Sequence, residues 1–136
     1  MVVCGLEMVA SEVRLVVLSG TKADFLHVNV DPRKLPLADD ENATEMKAFR
    51  DSLYAFFREN RVERISIKKR SKKGEYAGGP VGFKMEAITQ LYTDSDVGLV
   101  TPQAIAATVK RNEPEVPTTI RGYQKTAFEA AFWALP

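Results

Sequence analysis

Residues 2–9, Val-Val-Cys-Gly-Leu-Glu-Met-Val, form a nearly continuous apolar run broken by one carboxylate, Glu7. Such a run is too short for a membrane span and is the pattern of a strand covered on both faces. A chain of 136 residues that opens this way must supply a layer for each face of its sheet. Its composition permits this, because 45% of its residues are hydrophobic and 27% charged. That balance fits one globular domain over residues 1–136 and argues against global disorder.

The rest of the chain supplies those layers. Residues 12–18, Glu-Val-Arg-Leu-Val-Val-Leu, predict a second strand, and the short Ala10-Ser11 connection makes the pair an antiparallel hairpin. Phe25 to Val30 predicts a third strand, stopped by Asp31-Pro32. Residues 41–59 carry Met46, Phe49, Leu53 and Phe56 at three- and four-residue steps, which is helical spacing. Val62, Ile65 and Ile67 mark a fourth strand. Pro80 opens a second helix whose apolar face is Val81, Met85, Ile88 and Tyr92. A short fifth strand, Val97 to Val100, precedes Thr101-Pro102, an N-cap with proline at the first position of a third short helix. The last helix, from about Thr119 to Leu135, is apolar on nearly all sides. Its Phe128, Phe132 and Trp133 suit either core or the seam of a homodimer.

The order βββαβαβα, with one extra short helix, predicts an α/β fold. Its mixed five-stranded sheet would carry helices on both faces, with right-handed crossovers in the second half. That order resembles the order of the ribonuclease H-like fold. Val3-Cys4-Gly5-Leu6-Glu7 resembles the first strand of RuvC-type resolvase domains, where an apolar strand carries a glycine and then a metal-binding acid. Lys84-Met85-Glu86-Ala87 and the Thr101-Pro102 helix start sit where such domains have comparable features. Cys4-Gly5-Leu6-Glu7, Gly74 to Glu86 and the closing aromatic helix together resemble a bacterial family catalogued as domain of unknown function 3010.

The resemblance to resolvases implies carboxylates that converge on two divalent ions. Glu7 matches the first position and is the candidate metal ligand. The fourth strand, where a second acid is implied, offers Ile67-Lys68-Lys69-Arg70. The start of the last helix offers Tyr123-Gln124-Lys125-Thr126, with Glu129 a turn later. One of three implied positions therefore matches, which predicts a degenerate site. An active nuclease would need Glu7, helped by Glu86 or Glu129, with Mg²⁺ or Mn²⁺ as the ion; the residues demand no cofactor. The plain alternatives are a salt bridge from Glu7 to Lys68 or Lys69, a solvated helix face for Glu86, and an interface rim for Glu129.

Charge is unevenly distributed. Seven basic residues against one acid between Arg61 and Lys73 leave that segment at +6, so the remaining chain carries −5 of the net +1. Lys68, Lys69, Arg70, Lys72 and Lys73 lead into Tyr76, Gly78 and Gly79 just before the Pro80 helix. Cations, a stacking ring, close backbone approach and a helix N-terminus together suit nucleic acid or another polyanion. The plain alternative is a solvated loop. Met1 to Glu7 lacks a basic stretch and meets a carboxylate early, so a cytoplasmic setting without membrane partners is expected. The single cysteine and single histidine argue against disulfides, a multi-cysteine metal site and a Ser–His–Asp triad.

Overall fold

Strand β1 (Val2–Val9) lies at the centre of the sheet, as its apolar run requires. The computed structural model describes residues 1–73 and 79–136. The order along the sheet is β3-β2-β1-β5-β6, where β2 is Glu12–Gly20, β3 Phe25–Val28, β5 Arg64–Lys68 and β6 Asp96–Val100. β1 runs antiparallel to β2 and parallel to β5, and β5 runs parallel to β6. The β1–β2 connection is two residues long, and Ala10 takes a φ of 52° to make it.

The outer edge of β2 is covered in two pieces. β3 pairs with Val17 to Gly20, and β4 (Lys34–Pro36) pairs with Glu12 to Arg14. The expected meander therefore gains a sixth short strand. The β2–β3 ladder ends at Val28, and pairing with β2 resumes at Lys34, beyond Asp31-Pro32.

Alternation along β1 builds two cores. Cys4, Leu6 and Met8 point with Val13, Leu15, Val17, Ile65 and Ile67 toward α1 (Ala43–Glu59) and α2 (Pro80–Gln90). α1 contributes Phe49, Leu53, Phe56 and Phe57, and starts where the Asn42 side chain accepts the Glu45 N–H at 3.1 Å. Burial pushes the Cys4 thiol well above its ordinary range, so it stays protonated. Val3, Val16 and Leu18 point the other way, toward α4 (Lys125–Ala134). α3 (Pro102–Asn112) flanks α4, and Thr101 caps it by accepting the Ala104 N–H at 3.1 Å.

The closing helix is shorter than its apolar pattern suggests. It begins at Lys125 behind a single 3-10 turn, Gly122–Gln124. Most of its apolar circumference is packed inside the chain. Ala127, Ala131, Phe128 and Phe132 are fully buried against the sheet, and Ala130 packs with Val100 and Ile105 of the α3 side. Of the aromatics that suited either core or a dimer seam, Phe128 and Phe132 are core, and Trp133 is half-buried. Among the described residues no helix is long and apolar enough to cross a membrane.

His27 on β3 holds the segment before the 3-10 turn, with its Nδ1 2.6 Å from Thr119 Oγ1. Burial, then Arg33, keeps its pKa below the ordinary 6.5. The unfolded chain thus binds the proton more readily, and folding loses stability as pH falls below that ordinary value. Melting curves at about pH 8 and about pH 5 should show a smaller loss in His27→Gln than in the wild type.

Candidate functional site

Parallel pairing sets Leu6 opposite Ile67, so Glu7 and Lys68, one residue further on each strand, leave the sheet side by side. Both alternate onto the α4 side, since Leu6 and Ile67 belong to the opposite core. The 3-10 turn and the first turns of α4 roof this end. The buried Gln124 locks the roof: its Nε2 donates to the Leu15 carbonyl at 3.1 Å, and its Oε1 accepts the Arg121 N–H at 2.9 Å.

Glu7 is half-buried, and its ion-pair partner is Arg14 at 3.9 Å. This corrects the expectation of a pair with Lys68 or Lys69. The antiparallel ladder places Arg14 directly across from Glu7. Arg14 is itself held from several sides. Its Nε meets Glu12 at 3.2 Å, its Nη1 reaches the Tyr123 carbonyl at 3.4 Å, and its guanidinium stands 5.5 Å from the Tyr123 ring centre. Lys34 from β4 also approaches that ring, at 5.2 Å. Arg14, Lys34 and Tyr123 are the site residues that sequence reasoning missed. The available signal was Arg14 itself, a charge flanked by Val13 and Leu15 in a strand that both cores need.

The other two candidate acids are elsewhere. Glu86 sits on α2, on the opposite side of the sheet from Glu7. It is 7% exposed rather than on a solvated face. Burial raises its pKa above the ordinary 4.5, an effect opposed by Arg70, Lys72 and Lys69. Glu129 lies on α4 at a groove of about 300 Å³ between α3 and α4, shared with Lys68, Ile105, Val109 and Thr126. Its rim position is thus within one chain. Glu7, Glu86 and Glu129 do not assemble, and among the described residues no three His, Cys, Asp or Glu side chains come together. Mg²⁺ and Mn²⁺ want several hard anionic oxygens. A lone carboxylate between a guanidinium and an ammonium does not fit them.

The basic segment continues from this end of β5. Lys69 is exposed while its N–H donates to the Val100 carbonyl at 2.7 Å. Lys72 and Lys73 are exposed. Arg70 departs from the expected cationic lip. Its guanidinium turns inward, 5.4 Å from the Phe83 ring centre and against Gly82, where an added Cβ would fall 1.2 Å from Nη1. Gly79 caps α2 without a side-chain hydrogen bond and is exposed, which leaves the start of that helix open. Tyr76 and Gly78 lie outside the described residues.

A mixed sheet with β1 at its centre, a parallel half and helices on both faces is the ribonuclease H-like fold. It carries one acid, Glu7, near the end of β1, where the resemblance to resolvases implies the first of several. Matching residues 1–134, the chain belongs to the family described as protein of unknown function (DUF3010). A search of curated proteins finds no match. Among solved structures it is similar to Thermus thermophilus RuvC, with a TM-score of 0.74 and 9% identity over 98% of this chain and 92% of that one. T. thermophilus RuvC in complex with Holliday junction substrate matches with a TM-score of 0.70 and 12% identity, over the same shares. The Fowlpox virus resolvase in complex with Holliday junction DNA matches with a TM-score of 0.53 and 8% identity, over 98% of this chain and 91% of that one.

Proposed function

We propose that this protein binds nucleic acid through the basic end of its sheet and does not cut it by metal-dependent hydrolysis. The observation that carries the reading is Lys68 beside Glu7, an ammonium at the place where the resemblance implies a second metal-binding carboxylate. A cation there attracts a phosphate and repels a divalent ion. Lys69, Lys72 and Lys73 stand exposed just beyond it on the same segment. Those four lysines would contact phosphates, and the open start of α2 at Gly79 would add backbone N–H groups. Tyr76 and Gly78 join this reading by sequence alone. Arg70 is assigned a supporting role, because its guanidinium is turned inward. Two similar folds were solved with Holliday junction DNA, which makes a four-way junction the first substrate to try.

Fluorescence anisotropy across a salt series tests this. Each phosphate contact contributes about 0.9 to the slope of log K against log salt. Changing Lys69, Lys72 and Lys73 together to Ser should lower that slope by about two to three and weaken binding at low salt by at least about a hundredfold. Equal affinity in wild type and variant would overturn the proposal. Cleavage of the junction with Mn²⁺ that is lost in Glu7→Gln would replace it with an active nuclease.

A further inference from the structure

The opposite end of the sheet carries a second cationic site. Arg64 opens β5 and Lys68 closes it, so the strand holds them roughly 13 Å apart. The basic run of the sequence is therefore split between two ends of the fold. At the Arg64 end lies a cavity of about 480 Å³, where Lys22 just past β2, the last turn of α3 and the end of α4 meet. Lys22, Arg64 and Arg111 line it, together with Thr108, Asn112 and Trp133. No carboxylate side chain is among the described residues lining it; Pro136 lies next to it, its oxygen accepting the Lys22 N–H at 2.9 Å. Asp96 approaches Arg64 at 3.8 Å but is itself largely exposed.

Two of the three cations are fixed in place. Lys22 Nζ donates to the carbonyls of Trp133, at 3.0 Å, and of Leu135. Arg64 Nη1 donates to the Ala134 carbonyl at 2.8 Å. These bonds orient the cations without cancelling them, because a carbonyl has no net charge. The end of α4 offsets only about half a charge. An ammonium has three donors and a guanidinium five, so donors remain for a ligand. Arg111 makes no ion pair among the described residues. Lys22 registers the crowding, since burial first, then Arg64 and Arg111, hold its pKa below the ordinary 10.5.

We propose that this cavity binds the phosphate end of a small molecule, with three convergent cations facing two or more phosphate charges and the Trp133 indole walling one side. The site is independent of the nucleic-acid reading and shares none of its residues. Trp133 is the only tryptophan in the sequence, so its fluorescence reports on the cavity. Inorganic pyrophosphate is titrated into the full chain at low salt, followed by that fluorescence and by calorimetry. Saturable binding at roughly millimolar strength or tighter is expected. Arg111→Gln removes one charge without touching the bonds that hold α4, and should weaken binding about tenfold or more. The same variant should keep its circular dichroism and its binding to junction DNA. Absence of saturable binding by both readouts would overturn the proposal, as would equal affinity in Arg111→Gln. A single-stranded oligonucleotide that displaces pyrophosphate and binds more tightly, again through Arg111, would overturn it in favour of a nucleic-acid backbone. Loss of junction binding in the triple lysine variant leaves this result unaffected, so the two failures are distinguishable.

Discussion

Gly5→Ala should lower the stability of the fold by about 3 kcal/mol or more, a shift of roughly 2 M in a urea midpoint. α4 crosses β1 at this glycine. An added Cβ would lie 2.0 Å from the Ala127 carbonyl oxygen and 2.3 Å from the Ala131 amide nitrogen. Both are backbone atoms, so neither can turn aside as the tip of a flexible side chain could. The helix would have to lift, and Phe128 and Phe132 would lift with it. Total stability is typically about 5–15 kcal/mol, so a loss of this size is a large share of it. The roof over Glu7 is anchored to the same helix through Gln124, and junction binding should suffer in parallel. Gly98→Ala on β6 is the control, because nothing lies within 4 Å of its added Cβ. That variant should keep a midpoint close to the wild type.

Gly5 also marks the boundary of what the sequence makes legible. β1 was readable as a central strand because burial on both faces leaves its own mark, an unbroken apolar run. The parallel half was readable because Pro80 and Thr101-Pro102 sit where helices must start, whatever they pack against. That Lys68 stands where the resemblance implies a second acid was readable from one strand alone. Partnerships across the fold were not. Arg14 meets Glu7 because of the hairpin register, which a one-residue slip would have changed. Burial of Glu86 depends on which face of α2 meets the sheet, and its flanking Met85 and Ala87 show no difference that settles this. The close approach of α4 did leave a trace. Ala127, Ala130, Ala131 and Ala134 recur at helical spacing, small residues that let a helix sit low on the sheet opposite a glycine. Read as a general apolar surface, that stripe fits either core or a partner; read by residue size, it specifies a neighbour within the chain.

Arg70→Met should cost about 2 kcal/mol of stability at neutral pH and progressively less in acid. Glu86 is buried, and among the described residues its Oε2 has no hydrogen-bond partner; the same holds for Arg70 Nη1. Burial raises the Glu86 pKa, and Arg70 is the largest of the three cations that oppose the rise. Removing Arg70 leaves the burial effect less opposed and raises the Glu86 pKa further. The native state then holds its proton to higher pH than the unfolded chain does, so stability falls as pH rises through that interval. Below the ordinary 4.5 both states are protonated and this part of the penalty vanishes. Glu86→Gln removes the titrating group, so on that background Arg70→Met should cost less and lose its pH dependence. A thermodynamic cycle over the two single variants and the double variant, melted at several pH values, isolates the coupling. If Arg70→Met proves neutral at every pH, the guanidinium is only a surface cation, and it returns to the phosphate-binding set with Lys69, Lys72 and Lys73. A pH-dependent cost instead divides the basic run between two roles, with Arg70 steadying a buried carboxylate beneath α2 and the lysines left to face the ligand.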